Sequence, residues 1–160
     1  MRSNMLRRGS RRGGLVALLL AGLACALPLP VAQADDAAVR AAALEYAEAW
    51  LTGDEARMAR VLHPEVQKRR VLRDLRSGAE QLHVQDIDAL LHATRAGVGT
   101  AEVDGALSVR VAVLDRHGDM AVARVVSPLY VDYLQLVRWR DHWVVLSVTW
   151  GTLAGAGEAD

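Results

Sequence analysis

The sequence predicts an α+β domain, with three helices covering one face of a curved antiparallel sheet. Three observations carry this. Apolar residues recur at helical spacing along Asp35 to Leu51, and shorter helical stretches follow at Glu55 to Leu62 and Ile87 to Arg95. From Leu107 onward the chain alternates apolar and polar residues in four consecutive runs. Helices that precede a run of strands give segregated layers rather than alternating βαβ units.

The first 34 of the 160 residues read as a leader. Arg2, Arg7, Arg8, Arg11 and Arg12 form a basic head, Leu15 to Leu27 is apolar, and Ala32-Gln33-Ala34 offers small residues where signal peptidase requires them. The apolar run is shorter than the ~20 residues a spanning helix needs. Ser10-Arg11-Arg12 is a loose twin-arginine pattern, but a basic head suffices for ordinary export. Gly22 stands where a lipoprotein signal before Cys25 requires an aliphatic residue. The expected product is a periplasmic or secreted domain, residues 35–153, with a frayed tail at 154–160. Cleavage removes Cys25, the sole cysteine, and leaves 14 basic residues against 19 acidic ones, a net charge of −5. A mildly acidic domain is poorly suited to nucleic acid, and without its leader it has no membrane anchor.

In the mature chain, Asp35 or Asp36 can cap the first helix, whose inner face is Val39, Ala42, Ala43, Tyr46, Ala47 and Trp50. Gly53 ends it, and Asp54 caps the second helix. His63-Pro64-Glu65 reads as a turn and Val66 to Leu72 as a short strand. Asp74 to Gly78 is a turn, and Leu82 to Val84 is extended. Asp86 caps the third helix, with Ile87, Leu90, Leu91 and Thr94 inward. Leu107 to Asp115 and Met120 to Pro128 are strands joined around His117-Gly118.

The chain ends in a hairpin, Tyr130 to Trp139 and Trp143 to Trp150, around the loop Arg140-Asp141-His142. That loop sets Trp139 opposite Trp143 and Asp132 opposite Trp150. One face then carries Asp132, Leu134, Leu136, Arg138, Val144, Leu146, Val148 and Trp150, and its aliphatic content assigns it to the core. Tyr133, Trp139 and Trp143 fall on the outer face, where a homodimer contact would form.

Glu45-Tyr46, the Gly53-Asp54 break, His63-Pro64, Lys68-Arg69, Asp132-Tyr133-Leu134 with Leu136, and Trp143 with Trp150 occur in an order that resembles the putative lumazine-binding family. That family sits in the nuclear transport factor 2-like superfamily with SnoaL-like cyclases and ketosteroid isomerases. The resemblance implies a cone with a cystatin-like roll, a pocket at its open end, and frequent dimers through the sheet. Ketosteroid isomerases place a general-base aspartate on the strand after the second helix. Here that segment is basic, Glu65 to Val71, which speaks against isomerase chemistry and suits an anionic or carbonyl-bearing ligand.

Six residues emerge as site candidates. Asp132 is a carboxyl on an apolar face near the pocket mouth, where it would transfer protons; the alternative is a structural carboxylate paired with Arg138 or with a basic residue of the first strand. His63 is its candidate proton-shuttling partner, or a residue that satisfies helix carbonyls. Tyr46, Trp50 and Trp150 would line a ligand pocket or be plain core. Arg69 is the family-matching basic contact, although on a strand only one of Arg69 and Arg70 can point inward. The histidines lack metal-ligand spacing, so no metal and no cofactor is expected. Three readings follow: a binder of a small, partly apolar ligand, a small acid–base enzyme using Asp132 and His63, and a dimeric interaction module with a closed pocket.

Overall fold

A computed structural model describes residues 31–100 and 108–153, without the side chains of 31–34. The leader through residue 30, the tail after 153 and the expected strand start at Leu107 lie outside the described residues. Helix α1 spans Val31–Thr52, α2 Glu55–Val61 and α3 Ile87–Arg95. The strands are β1 (Leu62–Arg73), β2 (Glu80–Gln85), β3 (Arg110–His117), β4 (Met120–Val126), β5 (Tyr130–Trp139) and β6 (His142–Thr152). They form one sheet of six strands in the order β2-β1-β6-β5-β4-β3. This is the expected α+β class, with one difference: β1 runs parallel to β6, so the sheet is mixed.

Alanine, the strongest helix former, dominates α1. The helix begins before Asp35, so Asp35 and Asp36 lie inside it and do not cap it. Both are instead tied to the sheet: Asp35 pairs with Arg138 of β5, and Asp36 accepts from Arg116 of β3 at 2.8 Å. At its other end Gly53 takes φ +71°, Gly53 N–H donates to the Trp50 carbonyl and Asp54 N–H to the Ala49 carbonyl, a Schellman closure. The Asp54 side chain then accepts from Arg57 N–H at 2.9 Å and starts α2; Asp86 does the same for α3 through Ala89 N–H. His63-Pro64-Glu65 is not a turn. The strand begins at Leu62 and passes through these residues, because Leu62 is already paired with Val145 of β6.

The terminal hairpin corrects the expected register. Its loop is the two residues Arg140-Asp141, both at positive φ (49° and 66°), and Trp139 faces His142. This is the type I′ geometry that twisted ribbons favour. Arg-Asp lacks the asparagine–glycine signature that usually announces it. A bulge in β6 between the Leu136↔Val145 and Gln135↔Ser147 pairs absorbs the missing residue. Beyond it, Leu134↔Val148 and Asp132↔Trp150 pair as the sequence suggests. Between loop and bulge the faces are exchanged. Trp143 and Val145 are buried in the core cluster, whereas Leu146 borders a hollow on the opposite face. Trp143 therefore leaves the outer surface, and Tyr133 and Trp139 remain exposed there.

The core lies between the helices and the inner sheet face. Val39, Ala43, Tyr46 and Trp50 of α1, Met58 and Val61 of α2 and Leu90 of α3 meet Ala123, Val125, Leu134, Leu136, Val145 and Val148. Each fully buried leucine or valine contributes roughly 1.5–3 kcal/mol. The alanines of α1 and β4 let helix and sheet approach closely. At Trp50 the core gives way to a pocket, with the inner faces of β1 and β2 as one wall.

Candidate ligand pocket

Strand alternation decides which side chains of β1 turn inward. Val66 is core, so Lys68, Arg70 and Leu72 share its face, and Arg69 turns outward to donate to Ser147 Oγ at 3.5 Å. Lys68 is only 3 % exposed. Its Nζ lies 2.9 Å from Tyr46 Oη and 3.3 Å from Asp132 Oδ1, and the Tyr46 hydroxyl donates to the same carboxylate oxygen at 3.3 Å. Three rings surround the ammonium: Trp50 and Trp150 at 4.8 Å and Tyr46 at 5.5 Å from its Nζ. The Arg70 guanidinium stacks on Trp150 at 4.3 Å, and Tyr130 meets Trp150 edge-on at 5.2 Å.

Trp50, Lys68, Arg70, Leu72, His83, Gln85, Val98, Tyr130 and Trp150 together line a pocket of about 240 Å³. Gly99 is needed beside it: a Cβ there would stand 2.5 Å from the Trp50 indole and from the Trp50 carbonyl. Of the six sequence candidates, the structure brings Tyr46, Trp50, Asp132 and Trp150 together around Lys68. Arg69 lies on the other face. So does His63, whose Nδ1 accepts from Glu65 N–H and whose ring meets Trp139 at 4.7 Å. Asp132 and Trp139 are seven positions apart on β5, hence on opposite faces. The Asp132–His63 acid–base pair is not assembled.

The sequence does not mark Lys68 as a site residue and leaves open which of Arg69 and Arg70 turns inward; the structure turns Lys68 and Arg70 inward. The signal was there in the alternation Val66, Lys68, Arg70, Leu72, with the one apolar strand start fixing the inward parity. Arg69 and Val71 on the other face of the strand obscure it. Two larger hollows are less suited to a ligand. One of about 350 Å³ lies over Val122, Val137 and Leu146 on the outer sheet face; another of about 680 Å³ is an open groove between α1 and the hairpin loop. Among the described residues neither combines stacked rings with an unpaired cation. Among the described residues no three His, Cys, Asp or Glu side chains converge as metal ligands, and no helix is long and apolar enough to cross a membrane.

Burial raises the Tyr46 phenol well above 10.0, and the neighbouring Asp132 charge adds to the effect. Burial also lowers Lys68 from 10.5; Asp132 opposes this and Arg70 assists it. The two shifts act oppositely on stability. Between its lowered folded value and 10.5, Lys68 holds its proton better in the unfolded chain, so stability climbs with pH across that window. Tyr46 keeps its proton in the folded chain above 10.0, so its contribution is lost as pH rises past that value. Urea midpoints followed from neutrality to about pH 11 should rise and then fall, and Tyr46→Phe should remove the fall. A midpoint that declines steadily from neutrality in the wild type would contradict the buried arrangement.

The architecture, a six-stranded sheet rolled against three helices, is that of nuclear transport factor 2-like proteins. A protein of that class and of unknown function from Silicibacter pomeroyi is 17 % identical, with a TM-score of 0.61 over 78 % of this chain and 100 % of the other. One from Methylobacillus flagellatus is 16 % identical, with a TM-score of 0.59 over 78 % and 95 %. A ketosteroid isomerase-like protein from Erwinia carotovora atroseptica is 12 % identical, with a TM-score of 0.52 over 74 % and 96 %. At these identities the likeness is one of fold. The chain belongs to the family described as putative lumazine-binding, whose model matches residues 34–151. No curated protein matches the sequence.

Proposed function

We propose that this is an exported binding protein that holds a small, planar, singly charged anion in the pocket between Trp50, Arg70 and Trp150. One observation carries the reading. Three buried polar atoms on residues lining this pocket have no hydrogen-bond partner among the described residues, and all three are donors: Trp50 Nε1, Arg70 Nε and Trp150 Nε1. Buried donors without acceptors are costly, roughly 1–3 kcal/mol each, and a ligand rich in acceptors removes that cost. The charge count agrees. Asp132 offsets Lys68, while Arg70 has no carboxylate partner among the described residues, so one positive charge remains. The aromatic walls favour a flat ligand. An apolar cavity of roughly 150 Å³ accepts benzene, so about 240 Å³ suits one ring with a substituent. The export part of the reading rests on the leader pattern of residues 1–34.

The probes are 4-methylbenzoate and its neutral counterpart 4-methylbenzamide, with calorimetry and thermal shift as readouts. The benzoate should bind and the amide should bind more weakly. Arg70→Gln should weaken the benzoate by about tenfold or more, the value of one charge-assisted hydrogen bond. Arg69→Gln, on the far face, should leave it unchanged. Equal effects of the two arginine variants would remove the pocket from consideration.

A further inference from the structure

Lys68 is the only lysine in the chain; the other 18 basic residues are arginine. A solvated or ion-paired cation is served by either residue. An arginine, however, does not release its proton in proteins, whereas a lysine amine can, and it then becomes a nucleophile. The one lysine stands at a place where that difference matters. It lines the pocket, it is desolvated by three rings, and a second cation, Arg70, stacks on one of them, Trp150. Desolvation and a neighbouring cation are the two conditions that activate a lysine amine. Tyr46 Oη and Asp132 Oδ1, at 2.9 and 3.3 Å, can accept and return its protons.

We propose that Lys68 Nζ captures an aromatic aldehyde or ketone that carries an anionic group, forming an imine. This rests on the anion-binding reading of the pocket. The amine lone pair bonds to the carbonyl carbon, and the carbonyl π pair moves to oxygen, which takes a proton through Tyr46 and Asp132. The resulting carbinolamine loses its hydroxyl with a proton as water, and nitrogen gives up its remaining proton to complete the C=N bond. Aldehyde plus amine gives imine plus water, with no oxidant or reductant. When protonated, the imine is a cation within the same ring of aromatic faces that now surrounds the ammonium. Arg70 and the indole N–H groups hold the anionic end.

The probe is 4-formylbenzoate, added to the purified protein and followed by sodium cyanoborohydride. Intact mass should show a carboxybenzyl adduct, and peptide mapping should place it on Lys68. Excess 4-methylbenzoate should protect that site, and Lys68→Arg should lose the adduct while any labelling of the N-terminal amine persists. The amine is unique in the sequence, so the wild-type map decides even where the variant folds poorly. Adduct confined to the N-terminus in the wild type overturns the proposal. If 4-methylbenzoate still binds in an Arg70-dependent way in that case, only the imine fails; if it does not bind either, the ligand reading fails with it.

Discussion

Lys68→Met is expected to lower the unfolding free energy by about 3–5 kcal/mol, the cost of leaving one member of a buried ion pair alone. The side chains of Lys68 and Asp132 are 4 % and 8 % exposed, so water cannot take over the role of the lost ammonium. Among the described residues Asp132 would keep only the Tyr46 hydroxyl, at 3.3 Å. Replacing the whole network by apolar residues of similar size, Lys68→Met with Asp132→Leu and Tyr46→Phe, should recover most of that loss, because well-packed apolar groups often match or exceed a buried pair. Urea unfolding with an unchanged slope is the measurement. A loss under about 1 kcal/mol for the single variant, the size of an exposed pair, would show that the carboxylate is hydrated and the pocket floor open.

Trp143→Ala should cost about 3–5 kcal/mol, the range for emptying a large aromatic from a core, while Trp139→Ala should cost no more than about 1 kcal/mol. The two tryptophans flank the same loop. Trp143 is 6 % exposed and belongs to the core; Trp139 is 42 % exposed and touches His63. A three-residue loop would put both on one face and make the two losses similar. Equal costs would therefore restore that register and remove the bulge between Val145 and Ser147.

How much could be read in advance follows from where local chemistry decides the outcome. Gly53 and Asp54, Asp86 and Gly118 act within a few residues of themselves, and the breaks they imply are in the structure. The far half of the hairpin was legible because Leu134 and Val148 are apolar on one side of a regular ladder. Its near half was not, since Arg140-Asp141 enters the left-handed region without glycine or asparagine to signal it. The first strand was the larger miss. Pro64 suggested a stop, but the long-range partner of Leu62 lies in β6, and no local pattern around His63 reveals it. Within the expected strand Val66 to Leu72 both faces carry an apolar and a basic residue, so the inward parity of Lys68 and Arg70 was not legible, nor was the pocket.

The parallel pairing of β1 with β6 has a temporal consequence. Leu62 finds its neighbour at Val145, and Lys68 at Val148, so the middle of the sheet is stitched from segments some eighty positions apart. Contacts that distant are slow to form, because the intervening loop must close first. A nascent chain can coil its early helices at once, yet part of their greasy flanks stays uncovered until β6 has been delivered. For such a topology, β6 must be synthesised before the native sheet exists.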